Sequence, residues 1–281
     1  NGTYAYDLEG TLLWSIDLGD MRSRRGFGEA SSPTLAGDLL IINWDHEDDS
    51  FIVALDKKSG REVWRTERPG EVSSWSTPLA VRHGGGLQIV VSSTGKSRGY
   101  EVETGEELWR LGGMTVNQIP TPLFRDGVIY LASGYRGSML QAIDADRARG
   151  DLEGSEAVLW TYERDTPYVA TPLLYGQNLY FVKHFRNVLT VLDPVTGDVR
   201  YGPVRLAGLG DIYASPVAAA GRVYFFDRRG RALVLRNGPS LEVIESNEIA
   251  ENVDGTPALV GKWMYLRSRG SLYAFRDDAG E

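Results

Sequence analysis

Short runs of alternating apolar and polar residues, separated by polar or glycine-containing turns, recur along the whole chain. The clearest stretch covers 31–64 and reads SSPTLAGDLLIINWDHEDDSFIVALDKKSGREVW. Alternation over about four to eight residues is typical of half-buried β-strands. This stretch therefore predicts one unit of four short antiparallel strands.

A proline that follows Ser or Thr marks the start of each unit. Successive prolines are 45, 44, 50, 44 and 41 residues apart, and a repeat of roughly 40 to 50 residues with four strands is typical of propeller blades. We therefore predict an all-β fold, a β-propeller of four-stranded antiparallel blades with six blade starts and a partial blade. The six residues are Pro33, Pro78, Pro122, Pro172, Pro216 and Pro257.

A second marker lies near the end of most units: Asp, then Gly, then an aromatic residue at regular offsets. Glycine in this turn supplies a positive φ, and the Asp carboxylate can accept hydrogen bonds from the turn amides. A Trp at a fixed offset can pack between one blade and the next, so we interpret these residues as structural docking residues. They are Asp7, Trp14, Asp56, Gly60, Trp64, Gly105, Trp109, Asp144, Trp160, Asp193 and Gly197.

The beginning of the chain matches the middle of a repeat, because 1–7 aligns with 270–276. Counted over the whole chain, the third strands of blades then outnumber the first strands of blades by one. We expect residues 1–281 to form a single propeller domain that is incomplete at its N-terminus and belongs to an eight-bladed or seven-bladed ring. An insertion at 146–158 separates Asp144 from Trp160. We expect little or no helix in the chain, with at most a helical turn within this insertion, from Arg147 to Glu156.

The best copies of the repeat, VALDKKSGREVW, GYEVETGEELW and YAYDLEGTLLW, resemble the tryptophan docking motif of the bacterial PQQ-like β-propeller repeat family. That family includes quinoprotein dehydrogenases, an outer-membrane assembly lipoprotein and secreted proteins of unknown role, and the chain is most similar to the last group. The resemblance implies an extracytoplasmic location, periplasmic or secreted. From the dehydrogenases it also implies PQQ with calcium as a cofactor.

Composition narrows these expectations. The formal net charge of -8 disfavours a nucleic-acid partner, because binding phosphates requires a basic surface. No run approaches the roughly 20 apolar residues of a transmembrane segment. The chain has no Cys, whereas the quinoprotein dehydrogenases usually place adjacent cysteines beside the quinone. We therefore expect no cofactor, no catalytic residue and no metal site.

Linkers into the first strands and tips between second and third strands share one face of a propeller, where variable loops carry function. Polar and aromatic residues around this axial mouth are typical of a ligand or partner site; alternatively, they only plug and hydrate the channel. We predict that Trp75 and Tyr213 are partly accessible there. A quinone would use Trp75 as an aromatic floor, with Glu29, Asn117 and Asp254 as calcium ligands. The axial-mouth residues are Glu29, Trp44, Trp75, Asn117, Tyr168, Tyr213 and Asp254.

The hairpin tips also form a predicted basic arc. Hairpin tips that carry charge of one sign favour encounter with an oppositely charged partner. Alternatively, an acidic neighbour such as Asp227 neutralises them. The arc consists of Arg98, Arg136, Arg186, Arg228, Arg229 and Arg267.

These patterns favour a non-enzymatic scaffold that presents its linker-and-tip face to a protein or another cell-envelope component. The alternative is an enzyme or a small-ligand-binding propeller that uses the axial mouth, with a quinone- and calcium-dependent dehydrogenase as the family-derived form.

Overall fold

The computed structural model describes residues 2–277, and that range contains 26 β-strands and one short 3-10 helix at Arg24–Gly26. Within each sheet, strands that follow one another along the chain are hydrogen-bonded neighbours, so the sheets are built mainly from antiparallel hairpins. The predicted all-β architecture of four-stranded antiparallel sheets is confirmed.

The first three sheets cover the N-terminal part of the chain. A two-stranded sheet contains β1 (Thr3–Tyr6) and β2 (Leu12–Ile16). The next contains β3 (Thr34–Ala36), β4 (Leu39–Trp44), β5 (Phe51–Asp56) and β6 (Glu62–Glu67). The third contains β7 (Leu79–His83), β8 (Gly86–Ser92), β9 (Lys96–Glu101) and β10 (Glu107–Gly112), joined by β14 (Gly150–Asp151).

Four further sheets follow in chain order. The fourth contains β11 (Leu123–Arg125), β12 (Val128–Ser133), β13 (Met139–Asp144) and β15 (Val158–Tyr162). The fifth contains β16 (Leu173–Tyr175), β17 (Asn178–Lys183), β18 (Val188–Leu192) and β19 (Val199–Arg205). The sixth contains β20 (Val217–Ala219), β21 (Arg222–Phe226), β22 (Arg231–Arg236) and β23 (Val243–Glu248), and the seventh β24 (Ala258–Val260), β25 (Trp263–Arg267) and β26 (Leu272–Arg276).

The chain divides into two compact units. The first comprises Asn1–Leu131 and Ile143–Leu159, and the second comprises Ala132–Ala142 and Trp160–Glu281. The expectation of a single propeller domain stays a prediction. No helix within the described range is long and apolar enough to cross a membrane.

In each unit the core lies between the facing sides of neighbouring sheets. There the apolar residues that alternate along each strand meet those of the next sheet. In the first unit, Ile41 and Ile52 pack with Ile89 and Val91 of the next sheet. In the second unit, Tyr180 and Val191 belong to one cluster with Val223, Phe225 and Leu235. Consecutive repeats therefore stabilise each other through repeated contacts between sheets.

Three of the four marker tryptophans lie against the glycine of the following sheet. The Trp64 indole N–H donates to Val102 O at 2.8 Å, and a Cβ on Gly105 would overlap the Trp64 ring. Trp14 and Trp160 have the same relation to Gly60 and Gly197, with their N–H groups donating to Lys57 O and Pro194 O.

The marker carboxylates accept hydrogen bonds from the amides of their own turns. Asp56 accepts from the amides of Lys58 and Ser59, and Asp193 accepts from those of Val195 and Thr196. Asp144 accepts in the same way from Asp146 and Arg147. In the N-terminal turn, Asp7 accepts from Glu9 and Thr11.

Trp109 differs from the other marker tryptophans because of the insertion. Its indole N–H donates to Gln88 of its own sheet at 2.8 Å, and its side chain is fully buried. The insertion forms β14, which pairs in parallel with β10 in the register Trp109 to Gly150. The insertion contains turns and no helix, which agrees with the expectation of at most a helical turn there. The strand that it adds to the preceding sheet was not expected.

Candidate functional site

Two aromatic residues expected at the axial mouth are buried. Trp44 is 6% exposed and stacks on Phe51 with ring centroids 6.0 Å apart. Trp75 is 9% exposed, its indole N–H donates to Gly28 O at 2.8 Å, and Phe27 covers it edge-on. The prediction that Trp75 is partly accessible is wrong, because the preceding linker folds over the ring.

The polar residues expected at the mouth differ in their surroundings. Asn117 is 7% exposed, has a φ of 58°, and its side-chain oxygen has no hydrogen-bond partner. Glu29 is exposed. Asp254 is exposed as well, and its carboxylate accepts from Arg228 at 2.5 Å.

A group of aromatic rings in the second unit contains two of the expected site residues, Tyr168 and Tyr213. We call it the tip cluster and define it as Tyr135, Tyr168, His184, Phe185 and Tyr213. Tyr168 stacks on Tyr135 at 4.7 Å and meets His184 edge-on at 5.6 Å. His184 also contacts Phe185 at 3.8 Å and Tyr213 at 4.9 Å. The cluster therefore joins two linker residues, Tyr168 and Tyr213, to two hairpin tips.

His184 holds the tip cluster together from inside. It is 4% exposed, and its Nδ1–H donates to Ile212 O at 3.3 Å, since a carbonyl oxygen can only accept. Burial lowers the pKa of His184 below its ordinary value of 6.5. Nε2 is then an acceptor, and it has no partner. A neutral imidazole can sit among these rings without the cost of a buried charge.

Phe185 is the exposed part of the tip cluster. It is 65% exposed and lies in the turn between β17 and β18. Its φ is 65°, a conformation that costs a residue with a Cβ about 1–3 kcal/mol. The folded chain therefore holds this exposed ring in a backbone conformation that costs free energy.

Arg228 lies over Tyr213, one of the rings of the tip cluster. Its guanidinium carbon lies 4.1 Å from the centroid of Tyr213, a cation-π geometry. The hydrogen bond with Asp254 raises the pKa of Arg228. Arg228, paired with Asp254, thus lies over the ring of Tyr213. Tyr213 is half-buried, which agrees with its predicted partial accessibility.

The basic arc is less uniform than predicted, because several of its members have acidic partners. Arg98 lies within β9, is largely buried and pairs with Glu71 and Glu107. Arg228 pairs with Asp254 at 2.5 Å, and Arg186 lies 3.8 Å from Asp165. The exposed members are Arg136, Arg186, Arg229 and Arg267.

The suggested neutralising role of Asp227 is wrong. Its carboxylate is fully buried and accepts hydrogen bonds from the backbone amides of Gly210, Arg229 and Arg231. It fixes the tip geometry instead of pairing with a guanidinium.

Sequence reasoning missed a buried ion pair at the acidic tip of the first unit. Asp45 and Arg68 are 1% and 3% exposed, and Arg68 Nε donates to Asp45 at 2.8 Å. Ser74 and Ser93 also donate to Asp45, at 2.9 and 2.7 Å. The Arg68 guanidinium donates in addition to the Tyr100 hydroxyl. No local pattern indicates this pairing, because its partners are 23 to 48 residues apart.

Two of the residues considered for PQQ and calcium have surroundings that do not suit those roles. The ring of Trp75 is buried and its N–H is occupied, so it offers no open face to a quinone. Asp254 is bound by Arg228. Within residues 2–277 no three His, Cys, Asp or Glu side chains are grouped as metal ligands would be.

Comparison with known proteins agrees with the repeat pattern. The family model described as outer membrane protein assembly factor BamB matches residues 1–155 and 48–281. The curated protein of that name from Nitrosomonas eutropha (strain DSM 101675 / C91 / Nm57) is 25% identical over 234 residues, which cover 78% of this chain. The chain spans about half, 51%, of the length of that relative.

Two solved structures show the fold. The crystal structure of BamB from Moraxella catarrhalis matches with a TM-score of 0.72 at 16% identity, covering 100% of this chain and 79% of that one. The computationally designed Ika8 protein matches with a TM-score of 0.67 at 13% identity, covering 96% and 75%. The fold is accordingly a β-propeller. This chain belongs to the family of the outer membrane protein assembly factor BamB, whose propellers consist of PQQ-like repeats.

Proposed function

We propose that this chain is a non-enzymatic propeller scaffold that binds a protein partner in the bacterial cell envelope, on the periplasmic side, during outer-membrane protein assembly. The name of the matched family and of its relatives supports this assignment. The partner-binding surface that we propose is the tip cluster.

The observation that carries this proposal is the exposure of Phe185. A ring that is 65% exposed, held at a positive φ on a buried His184, is costly for the isolated chain. Aromatic and Arg side chains are the residues that most often dominate binding energy at protein interfaces. Burying Phe185 against a partner would recover the hydrophobic free energy of the exposed ring.

Charge around the tip cluster indicates the kind of partner surface. The Arg186 side chain is 70% exposed, and Arg136 and Arg229 are exposed too. These cations would attract an acidic segment and orient it, even though the chain as a whole is acidic. The partner we propose therefore combines an apolar anchor for Phe185 with nearby carboxylates.

A photocrosslinking comparison tests the proposal in native envelopes. A photoreactive phenylalanine at position 185 should crosslink to one or a few proteins of the outer-membrane assembly machinery, identified by mass spectrometry. The matched control position is Val195, which is 77% exposed and lies at the opposite end of β18. Crosslinking there should be absent or unspecific.

Substitutions at the same two positions then measure how much each contributes to partner binding. Phe185→Ser should abolish co-purification of the crosslinked partner, while Val195→Ser should leave it unchanged. Both side chains are exposed, so both variants should fold. Equal partner recovery with the two variants would mean that the tip cluster is not the binding surface.

A further inference from the structure

A cavity of about 380 Å³ lies between the sixth and seventh sheets, in the second unit. Its walls are largely apolar and include Phe226, Val234, Met264, Leu266 and Phe275. Phe226 and Val234 are each 6% exposed and Leu266 is fully buried, so these walls belong to the core. The volume falls in the range of small-molecule sites, roughly 300–1,000 Å³.

The corresponding space in the first unit is filled by Trp64. Ala54 is the fourth residue of a six-residue third strand and pairs with Trp64. Val234 holds the same place in β22, but its neighbour on the fourth strand is Glu245. Glu245 is exposed. The sixth sheet therefore lacks the indole that wedges between the second and third sheets.

A second planar group is also missing. Arg68, directly after β6, places its guanidinium 5.5 Å from the centroid of Tyr100. Ile249, directly after β23, is too short to reach as far and lines the cavity instead. Phe275 is next to last in its strand, as Tyr100 is, yet it is 43% exposed against 1% for Tyr100. In the earlier repeat, an indole and a guanidinium stand at the positions that Glu245 and Ile249 hold beside the cavity.

We propose that this cavity is a binding site for an uncharged planar aromatic small molecule of about the size of indole. A concave site with mostly apolar walls favours apolar ligands whose shape matches it. The aromatic wall at Phe275 favours an offset or edge-on ring contact. Glu248 at the rim disfavours an anionic ligand, although Arg231 lies 3.8 Å from it.

Indole is the probe that tests this site, because it reproduces the missing side chain. Isothermal titration calorimetry of the full chain with indole should show saturable binding at one site per chain. Indole-3-acetate, which adds a carboxylate near Glu248, should bind about tenfold more weakly. Absence of saturable indole binding up to its solubility limit would overturn the proposal.

Two tryptophan substitutions on the same strand provide a matched pair. Glu245→Trp restores the wedge and should lower indole affinity at least about tenfold. Ser246→Trp points to the opposite face of β23 and should leave the affinity within about twofold. An equal loss in both variants would contradict the cavity as the site.

A smaller filling substitution covers the case in which Glu245→Trp fails to fold. Ala232 lines the cavity at 6% exposure, and Ala232→Leu should weaken indole binding in proportion to the volume it fills. Phe185→Ser, in the tip cluster, should not change indole binding. The site is therefore tested independently of the partner surface proposed above.

Discussion

Trp64 and Gly105 form a reciprocal contact in which each residue requires the other. The indole ring lies on the backbone of Gly105, and its N–H donates to Val102 O at 2.8 Å. Gly105 has a φ of 74°, so the turn bends towards the ring in a conformation that residues with a Cβ rarely adopt. The contact joins the second and third sheets.

Replacing Trp64 with Ala should lower the free energy of unfolding by about 3 to 5 kcal/mol, because a buried indole and its hydrogen bond are lost. Trp263 is a matched control, since it is 40% exposed, and Trp263→Ala should cost less than about 1 kcal/mol. Urea denaturation followed by circular dichroism measures both. A loss under about 1 kcal/mol for Trp64→Ala would mean that this contact does not hold the sheets together.

Gly105→Ala should destabilise the protein by more than about 1 kcal/mol, because it combines an unfavourable φ with a clash against Trp64. Gly70 has a φ of 81° and open space around it, so Gly70→Ala measures the backbone cost alone. Thermal unfolding of the two variants should separate them clearly. Equal melting temperatures would show that Trp64 moves aside freely.

Removing Arg68 should expose the cost of an unpaired buried charge. Burial alone would raise the pKa of Asp45, but the charge of Arg68 and several hydrogen bonds outweigh it, so the pKa lies below its ordinary value. Arg68→Met should destabilise by about 3 to 5 kcal/mol, measured by urea denaturation. Adding Asp45→Asn should recover part of the loss, and a double variant as unstable as the sum of the single variants would contradict direct coupling.

The same pair predicts how stability depends on pH. Because the folded pKa of Asp45 is depressed, the native state gains stability above the unfolded value near 3.8 and loses it as pH falls towards the folded value. Wild type should therefore lose more stability than the double variant when the pH is lowered below about 4. Denaturation curves at several acidic pH values provide the measurement.

Glu251 should remain ionised in strongly acidic solution. Hydrogen bonds from Ser268, Ser271 and Tyr273 lower the pKa of its carboxyl to about 2. Its contribution to stability should be complete above about pH 4.5 and disappear as pH falls towards 2. Carbon-detected NMR titration of the carboxyl gives the pKa directly. Ser268→Ala should raise it, and a wild-type value near 4.5 would show that the hydroxyl groups do not donate to Glu251.

The repeat architecture was predictable from sequence because its causes are local. Alternation along each strand and the turn residues between strands act over a few positions, so β5 (Phe51–Asp56) and its turn at Asp56 and Gly60 follow from neighbouring residues alone. The position of Trp64 eight residues after Asp56 was readable for the same reason. The repeats determined the propeller class.

Exposure at the loops depended on tertiary contacts that no local pattern contains. Trp75 appears as an available aromatic in sequence, yet the linker with Phe27, 48 residues earlier, folds over it. Arg98 appears as a free cation at a hairpin tip, but Glu71 and Glu107 approach it from other segments. Burial and ion pairing at these residues result from distant segments of the chain that meet only after the sheets have packed.

The tip cluster and the cavity between the sixth and seventh sheets likewise depend partly on local sequence and partly on tertiary packing. Sequence singled out Tyr168 and Tyr213, but only folding brings them onto His184 beneath Phe185. In the sixth repeat the sequence places Ser240 and Ile244 where the marker has glycine and an aromatic residue. The cavity, however, follows from the register that places Glu245 beside Val234. Local chemistry determined which strands and turns form, and packing between distant segments decided which side chains reach solvent.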